Sequence, residues 1–167
     1  MKIVGRGAWG AAPPRGRDPL YPADARGVAV HYTGMDADEQ ALHASCAARI
    51  RAIQRYHMEE KDWLDIAYSH VCCRHGYVFV GRGFGIRTAA NGTRAANDQY
   101  FAICFLGNDS HGRTDVTPDA KRTLGELIRD YRRRYRRALR VRPHSAFVAT
   151  DCPGLELKAW IDRRGWD

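Results

Sequence analysis

Two imidazoles and a thiol, such as His31, His144 and Cys152, are side chains of a kind that together could hold a metal ion and keep it reactive. Neutral imidazole and thiolate are ordinary zinc donors, and three of them leave the fourth tetrahedral position to water. Such an open site is catalytic in form. Zinc lowers the pKa of its bound water to about 7 and polarises a carbonyl, so an amide can be hydrolysed without a covalent nucleophile. Composition alone does not select these three, because the chain has seven histidines and five cysteines. Taken singly, a histidine at a strand end is ordinarily a surface or hydrogen-bonded residue, and Cys152-Pro153-Gly154 is ordinarily a turn.

The elements that must position these residues follow from the spacing of apolar side chains. Gly27 to Tyr32 is a short apolar run closed by Thr33-Gly34, which predicts a buried strand presenting His31 at its C-terminal end. From Asp38 to about Met58 there is no proline or glycine. Leu42, Cys46, Ile50, Ile53 and His57 recur there at the period of a helix face. Ile66 to Cys73 and Tyr77 to Val80, separated by Arg74-His75-Gly76, predict two antiparallel strands. Residues 81–99 form a long aperiodic stretch rich in glycine, alanine and asparagine, the kind of loop that borders a groove.

Tyr100 to Leu106 is continuously apolar, as a central strand covered on both faces would be. Thr117-Pro118 opens a helix with a capping hydroxyl and a first-turn proline, and Leu124, Leu127, Ile128, Tyr131 and Tyr135 form its apolar stripe. A short helix is expected from about Leu155 to Arg163. The proline-rich start, residues 1–26, reads as an irregular arm packed on the rest. The expectation is a single α/β (mixed α+β) domain over residues 1–167, a mixed sheet with helices packed on it.

The balance of 44% hydrophobic residues predicts a packed core, and no apolar stretch approaches the ~20 residues that span a bilayer. The first residues lack the apolar segment of a secretory signal, so the chain is expected to stay in a host cytoplasm until released. The net charge of +8 calls for a polyanionic partner, either nucleic acid or the anionic polymers of a bacterial envelope. In the arginine-rich stretch from Arg129 to Arg142, Tyr131 and Tyr135 belong to the apolar stripe. The arginines therefore read as a solvated basic face toward an anionic envelope, with no specific nucleic acid as partner.

The wording around the candidate ligands resembles a known family. Arg6-Gly7-Ala8-Trp9-Gly10-Ala11, Val30-His31-Tyr32-Thr33-Gly34, Arg51 to Met58, Asp65-Ile66-Ala67-Tyr68, Gly81 to Gly85, Ile103 to Asn108 and Thr150-Asp151-Cys152-Pro153-Gly154 carry the likeness. They resemble, in order, the motifs of peptidoglycan recognition proteins and of related phage and bacterial N-acetylmuramoyl-L-alanine amidases. The resemblance implies a central sheet flanked by about three helices and a groove for peptidoglycan. It implies one zinc ion held by His31, His144 and Cys152, with Tyr68 and Thr150 as catalytic residues. His57, Thr33 and Asn91 would contact substrate. The signal-free, arginine-rich form resembles a phage endolysin, and a monomer is expected.

The sequence departs from the family at three places. Pro143-His144-Ser145 lacks the arginine that usually follows the second ligand, and Thr88-Ala89-Ala90 stands where a groove histidine is usual. Cys46 matches half of a family disulfide whose other position is Gln40 here. Cys72, Cys73 and Cys104 read as small buried apolar residues. A recognition module that binds the same polymer without cutting it is the alternative, and such modules generally lack the cysteine ligand.

Overall fold

The structure is a computed structural model that describes residues 1–35, 42–110 and 115–167. Six strands, β1 (Lys2–Val4), β2 (Gly27–Tyr32), β3 (His70–Cys73), β4 (Tyr77–Val80), β5 (Tyr100–Leu106) and β6 (Arg140–Pro143), form one sheet in the order β1-β4-β3-β5-β2-β6. Neighbours run parallel except in the β3–β4 hairpin, so the sheet is mixed as expected. Helices α2 (His43–Glu59), α4 (Pro118–Tyr135) and α5 (Leu155–Asp162) flank it. Among the described residues there are also two single-turn helices, α1 (Arg6–Trp9) and α3 (Arg94–Asn97), and a 3-10 turn at His144–Ala146.

The apolar run of β5 is buried at every position because both faces of the sheet are covered. Phe101, Ile103 and Phe105 point into a core shared with Leu124, Leu127 and Ile128 of α4 and Leu157 of α5. Cys104 and Leu106 point the other way, into a core with Trp9, Cys46 and Ile50. The period-two alternation of the strands thus sorts side chains between two helical layers. Each fully buried Leu, Ile or Phe contributes roughly 1.5–3 kcal/mol to this packing. Thr117 caps α4 by accepting a hydrogen bond from the Ala120 amide, with Pro118 in the first turn, as its residue types predict.

Three expectations are corrected. The N-terminal arm is not irregular throughout: β1 adds a parallel edge strand against β4, and Arg6 to Trp9 form one helical turn. Three residues are too few to show a period, and their pairing is with a segment more than seventy positions away. The strand expected from Ile66 begins only at His70. Ahead of it the backbone donors are taken by side chains, the Ile66 amide by Asp65 and the Ala67 amide by His57, which replaces a strand ladder. In the basic stretch, Arg133 and Arg134 are exposed and share Asp130, but Arg132 donates to the Leu139 carbonyl and Arg137 to those of Pro22 and Ala23. The solvated basic face is therefore narrower than the arginine stretch. The expected helix start at Asp38, and Gln40, lie outside the described residues.

Candidate active site

Strand register brings the two histidines together. β2 and β6 are parallel neighbours with Val30 opposite Pro143, so the next residues, His31 and His144, leave the same sheet edge side by side. Their ring centroids are 4.4 Å apart. Cys152 reaches the same place from the turn before α5, where the Ser145 amide donates to the Cys152 carbonyl and ties that turn to the His144 segment. Gly154 makes the close approach possible: its φ is +92°, and a Cβ there would lie 2.0 Å from the Asp109 carbonyl oxygen. One donor atom from each of His31, His144 and Cys152 lies within 4.8 Å of the others, and the Cys152 sulfur is 3.8 Å from His31 Nδ1.

The electrostatics of this trio are those of a ligand set. Burial, then the neighbouring His144, push the His31 pKa down to about 3, while Asn91 opposes the shift. Burial also lowers His144. Both imidazoles are neutral at pH 7, the form that binds a metal. Burial pushes the Cys152 thiol up to about 12, so its thiolate requires a compensating cation nearby. His144 Nε2 is buried with no hydrogen-bond partner among the described residues. Leaving such a nitrogen unsatisfied costs about 1–3 kcal/mol. Two neutral imidazoles and a thiol whose donor atoms meet at one point fit a zinc ion.

Asn91, expected on the groove loop as a substrate contact, is fully buried against His31. Its Oδ1 sits 2.9 Å from His31 Nε2, and its amide nitrogen donates to the carbonyls of Tyr100 and Ala96. With both N–H bonds committed to carbonyls, Oδ1 is the atom that faces His31, which places the imidazole proton on Nε2 and turns Nδ1 toward Cys152. An outer hydrogen bond of this kind would orient His31 if it held a metal ion. We expect Asn91→Ala to weaken zinc affinity about 10- to 100-fold in a chelator-competition titration. Unchanged affinity in the folded variant would remove this role.

Tyr68 lies just before β3 with its ring centroid 5.6 Å from that of His31 and 5.8 Å from that of His57. A buried polar cluster holds this segment. Asp65 accepts from Arg6 at 2.8 and 3.2 Å, from Gln54 at 2.7 Å and from the Ile66 amide at 2.8 Å. The roles of Asp65 and Arg6 were missed in the sequence, although both lie inside quoted motifs, because the contact spans 59 positions. His57 is buried on α2, and its Nδ1 accepts from the Ala67 amide. Burial, with Arg82 and Lys61 nearby, lowers its pKa to about 4.

His57, Tyr68, Thr33, Met35, Ile53 and Tyr56 line a cavity of about 330 Å³ beside the trio. The Thr33 hydroxyl both donates to the Gly107 carbonyl and accepts from the Gly107 amide, so it is largely spent on the backbone. Thr150 is half-buried, and its hydroxyl oxygen accepts from the Cys152 amide at 3.3 Å.

The family model of N-acetylmuramoyl-L-alanine amidases matches residues 21–155. The chain belongs to this family. A human N-acetylmuramoyl-L-alanine amidase is 34% identical over 161 residues, which cover 89% of this chain and 26% of that protein. Peptidoglycan-recognition protein SC1a of Drosophila melanogaster is 30% identical over 141 residues, covering 82% of this chain and 71% of that one. The solved structure of peptidoglycan recognition protein-LE in complex with tracheal cytotoxin, a monomeric diaminopimelic acid-type peptidoglycan, superposes with a TM-score of 0.83 at 25% identity. It covers 95% of this chain and 92% of that one. This member of the amidase family spans about a quarter of the length of the curated amidases it matches. Among its described residues no helix is long and apolar enough to cross a membrane.

Proposed function

We propose that the chain is a zinc-dependent amidase that hydrolyses the bond between muramic acid and L-alanine in bacterial peptidoglycan. The observation that carries the reading is the convergence of His31, His144 and Cys152, with the Tyr68 ring 5.6 Å from that of His31 and lining a cavity together with His57. When bound by these three residues, zinc supplies Lewis-acid polarisation of the amide carbonyl and acidifies water.

The remaining work belongs to the side chains. Burial, with the Cys104 and Cys152 thiols beside it, raises the Tyr68 pKa well above that of an ordinary phenol, so Tyr68 keeps its proton and acts as a donor. A fixed donor aimed where negative charge develops on the amide oxygen stabilises the transition state. His57 is neutral and accepts a backbone hydrogen bond at Nδ1, so Nε2 carries its proton and can donate to a polar group of the stem peptide. Thr150 offers its hydroxyl proton while its oxygen steadies the Cys152 amide.

Family members include recognition modules, and the thiol at Cys152 favours the enzyme over a purely binding module. The net charge of +8 would hold such an enzyme near anionic envelope polymers, the setting of a phage endolysin released from the host cytoplasm. The test is release of free L-alanine amino termini from purified peptidoglycan, before and after chelation and with zinc restored. Release that stops on chelation and returns with zinc is the expected result. Tight binding of the polymer without release at any zinc level would make the chain a recognition module.

A further inference from the structure

On the same side of the sheet as the candidate active site, but built from other residues, lies a second group of metal-binding side chains. His43 opens α2 and Cys46 follows one turn later, while Cys73 ends β3 and His75 occupies the turn to β4. One donor atom from each lies within 4.8 Å of the others. Cys73 Sγ is 3.9 Å from His43 Nδ1 and 3.7 Å from His75 Nδ1, and Cys46 Sγ is 3.8 Å from His75 Nδ1.

Zinc bonds of about 2.3 Å to sulfur and about 2.0–2.1 Å to nitrogen at tetrahedral angles set a sulfur–nitrogen edge of about 3.6 Å. The three observed edges exceed that by a few tenths of an ångström, a gap that small side-chain rotations close. The two sulfurs are buried and the two imidazoles half-buried over them, which leaves the donors converging on one interior point. His43 is held in place by stacking on Tyr77, with ring centroids 3.8 Å apart and planes 24° from parallel.

We propose that His43, Cys46, Cys73 and His75 form a second, structural zinc site. Four protein donors close the coordination shell, so the site has no open position for water and does no hydrolysis. It clamps the first turn of α2 to the tip of the β3–β4 hairpin. The far half of α2 carries Ile53, Tyr56 and His57, so the clamp also fixes the wall of the cavity. Cys73, which sequence reading takes for a small apolar filler, is a ligand in this assignment. The assignment does not depend on the amidase reading.

Zinc per folded chain, measured by elemental analysis after purification under reducing conditions, is expected at about two in the wild type and about one in Cys73→Ser or His75→Gln. Because removing a ligand can prevent folding, the Cys152→Ser variant, which leaves the cluster intact, is also loaded with cobalt. Charge-transfer absorption from two thiolates on a tetrahedral cobalt supports the site. The proposal is overturned by about one zinc per wild-type chain with none in Cys152→Ser, by a cobalt spectrum without thiolate bands, or by a Cys46–Cys73 disulfide in the reduced preparation.

Discussion

Cys152→Ser is expected to reduce peptidoglycan hydrolysis by about a thousandfold or more while leaving the chain folded and its polymer binding close to wild type. A metal contributes several kcal/mol to stabilising charge at a carbonyl. Each 1.36 kcal/mol is about tenfold in rate. Cys152 supplies the only sulfur of the trio, and a serine hydroxyl stays protonated near neutral pH, so two imidazoles alone would remain. The fold should tolerate the change because Gly154, its close approach to Asp109 and the Ser145–Cys152 backbone bond are untouched. Rates are compared at saturating zinc, and a variant that keeps more than about a tenth of the activity would exclude Cys152 as an essential ligand.

Tyr68→Phe should lower kcat by about 100- to 1000-fold with little change in KM, the effect of removing one donor that acts mainly in the transition state. Zinc content should not change, which separates this variant from loss of a ligand. The pH dependence carries a further check. Burial raises the Tyr68 pKa, so the protonated, donating form persists above the pH of about 10 at which a free phenol ionises. The wild-type rate should therefore show no fall between about pH 7 and pH 10 that disappears in Tyr68→Phe. Equal kcat in the two proteins would assign Tyr68 to packing alone.

Periodicity and turn chemistry identify much of the scaffold. Thr117-Pro118 announces α4, the apolar run from Tyr100 to Leu106 announces β5, and Arg74-His75-Gly76 announces the β3–β4 hairpin, each through a preference that acts within a few residues. The motif order from Arg6 to Gly154 points to the family, whose model matches residues 21–155. These are local or linear properties, and the sequence by itself determines them.

What joins distant residues depends on tertiary structure. His31 and His144 meet because β6 pairs in parallel with β2, a register that neither strand encodes alone. Asn91 carries a loop residue's ordinary signature, yet its burial beneath β5 turns it from a surface contact into the partner of His31. Asp65 finds Arg6 across the fold, and Cys73 finds Cys46, His43 and His75 only when α2 packs on the hairpin. In each case the deciding interaction joins elements far apart in the chain. Its energy appears only after the backbone has paid the entropy of bringing them together, so no short window of residues records it.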